Sequence, residues 1–130
     1  MIMGLGVDIV EIKRIEYVYR KYGLKFLKKI LSNYEIEKIS IINSPKLLMQ
    51  KIATRFAAKE AVIKSFSSEK YKPTFHDFEI LKLETNKPYV NFRHLSKVNN
   101  TVISKNNYKI DISLSHENKY AVAFATLSKL

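Results

Sequence analysis

Alternating apolar positions near the start of the chain predict its first strand. Apolar residues alternate with small or acidic ones over residues 3–9, and a period of two is typical of a strand with one buried face. The apolar face, which we expect to be buried, carries Met3, Leu5, Val7 and Ile9. The opposite face carries Gly4, Gly6 and Asp8, and glycines inside a strand indicate that another group approaches the backbone closely.

Helical spacing replaces this alternation from residue 11 to about residue 66. Gly23 is expected to interrupt or bend the first helix. A capping-box sequence at residues 32–35 predicts the start of the next helix, and Asn-Ser-Pro at residues 43–45 predicts its end. Pro45 favours the first turn of a long helix that extends to about Phe66, because proline lacks the N–H that this turn does not use.

The rest of the chain returns mainly to strand patterns. The predicted elements are a strand at Asp77–Glu84, its hairpin partner at Tyr89–Phe92, a short helix at His94–Lys105, and strands at Lys109–Ser115 and Tyr120–Leu127. A short turn joins the last two strands, so they should pair antiparallel. The pattern predicts an α+β fold, with an antiparallel sheet packed against the long central helix. A length of 130 residues predicts one domain, covering residues 1–130.

Charge adds a hypothesis about the partner. The formal net charge is +11, and residues 12–31 hold seven Lys and Arg residues against the single acid Glu16. Such a surface fits an acidic partner, which by charge alone is a nucleic acid, an anionic surface, a polyphosphate ligand or an acidic protein. It is equally consistent with a solvated flank of the helix.

Composition excludes several classes of protein. The chain has no cysteine, which rules out disulfides, a thiol nucleophile and thiolate zinc sites. No apolar run approaches the length of a membrane span, so we expect no membrane insertion. The first residues lack a basic leader, so we expect a cytoplasmic protein, with the plastid stroma as the alternative if a transit peptide has been removed.

The candidate chemistry begins with two carboxylates. On the long helix, Glu60 and Lys64 lie one turn apart on the same face, and Asp8 lies on the glycine-bearing face of the first strand. Two carboxylates and a few waters are a common way to hold Mg²⁺, and a lysine beside them would neutralise phosphate. The simpler alternatives are a surface ion pair for Glu60 and Lys64 and a solvent-facing acid for Asp8.

Other catalytic arrangements are poorly supported. The chain has no Gly-x-Ser-x-Gly elbow and no glycine-rich phosphate loop, and its three histidines lack the spacing of a zinc site. The predicted strand at Lys109–Ser115 presents Asp111, Ser113 and Ser115 on one face and is followed by His116. This polar face is a second candidate binding surface.

Three separated motifs resemble those of a known family. The motifs are Gly4-Leu5-Gly6-Val7-Asp8-Ile9-Val10 with Arg14, then Arg55-Phe56-Ala57-Ala58-Lys59-Glu60-Ala61, then Ser113-Leu114-Ser115-His116-Glu117 with Tyr120-Ala121. Together they resemble 4′-phosphopantetheinyl transferases, most closely the short, single-domain branch of holo-[acyl-carrier-protein] synthases. One departure is that residues 65–72 contain no glycine where the family has a glycine-rich loop. Another is Asn86 in place of a usual glycine, although asparagine tolerates the left-handed conformation.

The resemblance implies a fold, a reaction and a set of roles. The fold would be that of the 4′-phosphopantetheinyl transferases, and the reaction the transfer of 4′-phosphopantetheine from coenzyme A to a serine of apo-acyl carrier protein in fatty acid biosynthesis. Asp8 and Glu60 would bind Mg²⁺ and, with Lys64, form the catalytic group. The implied coenzyme contacts are Lys59, Lys64, Ser113, Ser115 and His116. The implied carrier-docking residues are Arg14, Arg20, Lys21 and Lys25. The resemblance also implies a homotrimer with active sites shared between neighbours.

The sequence pattern leaves two placements open for Lys59. The helical wheel puts it inside the apolar stripe of the long helix, so it either extends to the surface or belongs to the site.

Two other functions compete with the transferase. A small RNA- or DNA-binding module would use the basic helix, but its tyrosines fall on the apolar stripe, where they are poorly placed to stack on bases. A noncatalytic adaptor for an acidic protein would leave Asp8 and Glu60 structural.

Overall fold

The computed structural model describes residues 1–92 and 108–129. In chain order the elements are β1 (Ile2–Glu11), α1 (Ile12–Tyr22), α2 (Leu24–Ile30), α3 (Asn33–Ser40), α4 (Pro45–Ser65), β2 (Phe78–Lys82), β3 (Pro88–Phe92), β4 (Tyr108–His116) and β5 (Tyr120–Lys129). The predicted helix at His94–Lys105 lies outside the described residues. In the part of the chain that is described, no helix has both the length and the apolar character needed to cross a membrane.

Two antiparallel sheets form the β part of the fold. A three-stranded sheet has the order β1-β5-β4, and β2 and β3 form a separate hairpin. Both neighbours of β5 pair with it antiparallel, which confirms the predicted pairing of the last two strands. The predicted hairpin is also confirmed, although its first strand covers only Phe78–Lys82. The observed architecture is the predicted α+β class, with a long helix on an antiparallel sheet.

Local signals explain how the helices begin and end. Gly23 has φ 56° and separates α1 from α2, which confirms the predicted interruption. Ser32 and Glu35 form both hydrogen bonds of the predicted capping box at the start of α3. Pro45 opens α4, and the Ser44 side chain accepts a hydrogen bond from the Leu47 N–H. Asn86 has φ 67°, so this asparagine does adopt the left-handed conformation expected of it.

Small residues allow α4 to pack closely on the three-stranded sheet. The fully buried alanines of the helix are Ala53, Ala57, Ala58 and Ala61, and those of β5 are Ala121, Ala123 and Ala125. On β1, a Cβ added to Gly4 would lie 1.8 Å from the Ser65 carbonyl oxygen, and one added to Gly6 would lie 1.8 Å from the Ala61 carbonyl oxygen. Only glycine therefore permits this approach between the backbones of β1 and α4.

The predicted burial of the apolar face of β1 is wrong for the single chain. Leu5, Val7 and Ile9 are 58%, 56% and 65% exposed. The glycine-bearing face packs against α4 instead, because the helix backbone comes too close for any larger side chain. Strict alternation then turns the apolar side chains to the outer face of the sheet. Phe124 of β5 pairs with Val7 and adds a 43% exposed ring to this face.

Candidate functional site

The glycine-mediated contact between β1 and α4 brings Asp8 and Lys64 together. The Lys64 ammonium donates to Oδ1 of Asp8 at 3.0 Å and to the carbonyl oxygen of Val7 at 3.1 Å. The Asp8 side chain is 16% exposed and that of Lys64 is 52% exposed. The carboxylate is thus partly sheltered, while the lysine faces the solvent from which a ligand would arrive.

Glu60 completes a cluster with these two residues. Burial raises the pKa of the Glu60 carboxyl, the negative charge of Asp8 raises it further, and the positive charge of Lys64 opposes the change. The charge of Asp8 thus disfavours the ionised form of Glu60, and a cation bound beside both carboxylates would relieve this effect. Within residues 1–92 and 108–129 no group of three or more acids or histidines forms a metal cage. Two carboxylates with water and substrate oxygens nevertheless suit Mg²⁺.

The structure does not bring Ser113 and Ser115 to this cluster within one chain. Asp8 pairs with Ala123, and Ala123 with Leu114, so these three residues share the inner face of the sheet. Ser113 and Ser115 alternate with Leu114 and therefore lie on the outer face, the one that also carries Val7 and Phe124. β4 and β1 flank β5 on opposite sides, so β4 and β1 are about 10 Å apart, twice the usual strand spacing.

His116 lines a basic cavity on the β4 side of α4. The cavity has a volume of about 400 Å³, and its walls include Lys51, Arg55, Lys82 and Lys87. The contact of Lys51 with Lys82, followed by burial and the charge of Arg55, lowers the pKa of Lys51 to about 8. Cations held together at such a cost are typical of a binding site for an anion.

Sequence reasoning missed these four cations, although part of the signal was available. Lys51 and Arg55 are one turn apart on α4, and like charges at this spacing are unfavourable on an ordinary helix surface. An anion bound between them would relieve this repulsion. Lys82 and Lys87 come from the hairpin, which no local pattern places beside α4.

The predicted coenzyme contact of Lys59 is not supported. Its side chain is fully buried and forms an ion pair with Glu35 at 2.9 Å. Its ammonium also donates to the carbonyl oxygens of Phe75 and Phe78 at 2.7 and 2.6 Å. Lys59 neither extends to the surface nor reaches the cluster of Asp8, Glu60 and Lys64, because the start of β2 covers this side of α4.

The predicted carrier-docking residues are all exposed, but they do not form one face. Arg14 and Lys21 are two turns apart on α1, and Lys25 follows on α2. Arg20 is turned about 120° away from Arg14 by the helical period and forms an ion pair with Glu16 at 2.7 Å. It belongs to a different side of the helix and lines a separate cavity with Tyr19 and Leu48.

The fold and the cluster of two carboxylates and a lysine define a small α+β protein with a candidate site for a divalent cation and a phosphorylated ligand. Residues 4–125 match the model of the 4′-phosphopantetheinyl transferase superfamily. The chain belongs to that superfamily. Holo-[acyl-carrier-protein] synthase of Natranaerobius thermophilus is 40% identical over 129 residues, covering 98% of each chain. The synthase of Chlorobaculum parvum is 39% identical over 131 residues, covering 98% of this chain and all of its own.

Solved structures agree with this assignment. The holo-(acyl-carrier-protein) synthase of Bacillus anthracis, in complex with CoA (3′,5′-ADP), has a TM-score of 0.78 at 30% identity, covering 98% of this chain and 96% of its own. The Helicobacter pylori synthase in complex with coenzyme A has a TM-score of 0.72 at 29% identity, covering 95% and 99%. The predicted resemblance and fold are thereby confirmed, and the chain is a transferase of this superfamily.

Proposed function

We propose that this protein transfers 4′-phosphopantetheine from coenzyme A to a serine of apo-acyl carrier protein and releases adenosine 3′,5′-bisphosphate. The observation that carries the proposal is the convergence of Asp8, Glu60 and Lys64 on one side of the sheet. The full-length similarity to holo-[acyl-carrier-protein] synthases supports the same reaction. It favours the transferase over the nucleic-acid-binding module and the adaptor.

Asp8 and Glu60 would hold Mg²⁺. The fit rests on the chemistry of the donor set: the charge of Asp8 disfavours the ionised form of Glu60, a cation would relieve this effect, and carboxylate oxygens are the ligands that Mg²⁺ prefers. When bound, the ion would withdraw charge from the pyrophosphate oxygens. The sheltered position of Asp8 fixes one of these ligands before the substrate arrives.

Lys64 would stabilise the charge that develops during transfer. The carrier serine oxygen forms a bond to the phosphorus of the pantetheine phosphate, and the P–O bond to the adenosine phosphate breaks. The electron pair leaves with adenosine 3′,5′-bisphosphate, and the serine proton is released. Half of the Lys64 side chain is exposed, so its ammonium can move from Asp8 to the phosphate oxygens.

The basic cavity would receive the 3′-phosphate end of coenzyme A. Lys51, Arg55, Lys82 and Lys87 provide four cations around one cavity, and His116 lies on its wall. A phosphate monoester is a compact dianion that such a group binds through several charge-assisted hydrogen bonds. The reacting pyrophosphate would then lie at Asp8 and Glu60.

A homotrimer would bring the two parts of the site together. Within one chain the Asp8 cluster lies at β1, whereas the basic cavity is lined by Ser113 and His116 of β4, and β5 separates these two strands. The outer face also exposes Leu5, Val7, Ile9 and Phe124, an apolar surface that contact with another copy would bury. A shared site between neighbouring copies accounts for both features.

The carrier would dock on α1 and α2. Arg14, Lys21 and Lys25 offer positive charge to an acidic protein and would raise its association rate. Phe26, Phe56 and Phe75 form a row of rings next to this surface, with centroid separations of 6.5 and 6.2 Å. Arg20 contributes less, because Glu16 already neutralises it. The role in fatty acid biosynthesis and the cytoplasmic location remain predictions.

Mass spectrometry of the carrier tests the proposal. Purified protein, coenzyme A, Mg²⁺ and an apo-carrier should give a carrier that gains one phosphopantetheine on its serine, and chelation of Mg²⁺ should prevent the gain. Glu60→Gln should abolish metal-dependent turnover, while its thermal midpoint without metal should stay the same or rise because the repulsion with Asp8 is removed. An unmodified carrier with the wild-type protein would refute the transferase, and an active Glu60→Gln variant would refute the role of Glu60.

A further inference from the structure

A buried polar network links α4 to the chain that leads into β2, and the proposed mechanism does not use it. The Lys59 ammonium, fully buried, pairs with Oε1 of Glu35 at 2.9 Å. It also donates to the carbonyl oxygens of Phe75 and Phe78 and lies 4.9 Å from the ring centroid of Phe78. One side chain of α4 thus holds both the loop before β2 and the start of that strand.

Glu35 extends the network in two directions. Its Oε2 accepts the Ile80 N–H at 3.0 Å, and its Oε1 accepts the Ser32 N–H at 2.9 Å. The Ser32 hydroxyl in turn donates to Glu79. Throughout residues 1–92 and 108–129, every buried polar side-chain atom has a hydrogen-bond partner. The start of α3, the middle of α4 and the whole first half of β2 are therefore held in one arrangement.

This arrangement fixes the walls of the basic cavity. Arg55 lies one turn before Lys59 on α4, and Lys51 one turn before that. Lys82 lies two residues after Ile80 on β2. A buried ion pair is by itself weak evidence for stability, because the cost of removing both charges from water offsets their attraction. The Lys59–Glu35 pair does join α4 to α3, and through the backbone contacts of both residues it joins them to β2. The geometry specified here is the distance between the cations of α4 and those of the hairpin.

We propose that Lys59 and Glu35 are positioning residues for the phosphate-binding cavity formed by Lys51, Arg55, Lys82 and Lys87. The proposal rests on the function proposed above, in which this cavity receives the 3′-phosphate of coenzyme A. Lys59 holds β2 at the spacing at which cations from both elements contact one phosphate. Without it the hairpin shifts relative to α4, and the cavity loses its selectivity for the phosphate.

The test compares the affinities of coenzyme A and 3′-dephospho-coenzyme A, measured by isothermal titration calorimetry. The wild-type protein should prefer coenzyme A, and Lys59→Met should reduce the ratio of the two affinities about tenfold, the effect of losing one charge-assisted contact. Ile52→Ala is the matched control, because Ile52 is also fully buried on α4 but has no polar group. It should lower the thermal midpoint and leave the ratio unchanged.

Glu35→Gln provides a second variant, because it keeps the volume of the side chain and removes the charge that pairs with Lys59. It should reduce the ratio in the same direction, and it replaces Lys59→Met if that variant does not fold. An unchanged ratio in the folded variants, or an equal reduction in Ile52→Ala, would overturn the proposal. A wild-type protein that binds both ligands equally would also overturn it. Failure of the wild-type protein to bind coenzyme A at all would instead refute the proposed function.

Discussion

At the scale of single residues, the charged side chains along α4 form two separate groups. Lys51 and Arg55 face the basic cavity, whereas Glu60 and Lys64 face β1. The spacing of Glu60 and Lys64 and the motif around them were sufficient to predict their proximity. The partner of Lys59 was not predictable, because Glu35 and the carbonyl oxygens of Phe75 and Phe78 are brought to it by tertiary structure.

The lowered pKa of Lys51, about 8, predicts that binding of coenzyme A takes up a proton in mildly alkaline solution. A bound phosphate favours the ammonium form, so the affinity should fall as the pH rises above about 8. In the absence of ligand, the effect of Lys51 on the stability of the folded protein has the opposite dependence on pH: it becomes more favourable as the pH rises. The pKa lies below its ordinary value of 10.5, so the cost of charging Lys51 is present below pH 8 and disappears as the pH rises toward 10.5.

Calorimetry in buffers of different ionisation enthalpy measures this proton uptake. At pH 8.5 the wild-type protein should take up a fraction of a proton with coenzyme A, and at pH 6.5 Lys51 should contribute almost none. Lys51→Met should lose the uptake at pH 8.5 while still folding, since Lys51 is only partly buried. Equal uptake in both proteins would assign the effect to another group.

At the scale of elements, the contact between β1 and α4 determines the candidate metal site. The glycines of β1 were correctly predicted to mark a close approach, and the structure identifies α4 as the approaching element. Alternation alone could not decide which face of β1 is buried. An apolar strand face normally packs against the core of its own chain. In β1 the glycine-bearing face packs against α4 instead, so alternation places the apolar side chains on the outer face.

Gly6→Ala should therefore destabilise the protein and disturb the site together. The new Cβ would lie 1.8 Å from the Ala61 carbonyl oxygen, so β1 and α4 must separate. Overpacking of this kind costs about 1–3 kcal/mol, and the separation should also weaken binding of Mn²⁺, a paramagnetic substitute for Mg²⁺. Urea unfolding measures the first effect and electron paramagnetic resonance the second.

Gly23→Ala is the matched control for this variant. Gly23 has φ 56° and ψ −131°, a backbone conformation that strains any side chain, but within residues 1–92 and 108–129 no atom lies within 4 Å of an added Cβ. The substitution should therefore destabilise the protein by about 1–3 kcal/mol through backbone strain and leave Mn²⁺ binding intact. A Gly6→Ala protein with normal stability and normal Mn²⁺ binding would contradict the role assigned to the glycine contact.

At the scale of the whole molecule, the chain presents two partial sites and one uncovered apolar surface. The class of the fold followed from the periods of the sequence, and three separated motifs were sufficient to predict the family. How the partial sites combine did not follow, because the proposed combination requires contacts between copies of the chain. Val7, Phe124 and Ser113 lie in one row across the outer face of the sheet, so a neighbour that covers the apolar strands also approaches the serines.

A shared site predicts that two inactive variants restore activity when their chains are mixed. Glu60→Gln removes the metal-binding half, and Lys51→Glu with Lys82→Glu removes the phosphate-binding half. When the two variants are unfolded and refolded together in equal amounts, about one quarter of the sites should combine an intact half from each of two copies. The mixture should then show up to one quarter of wild-type turnover.

Each variant refolded alone should stay inactive. A triple variant with all three changes, mixed with Glu60→Gln, should also stay inactive. If native mass spectrometry shows mixed trimers but no activity returns, each chain contains a whole site and the shared arrangement is wrong.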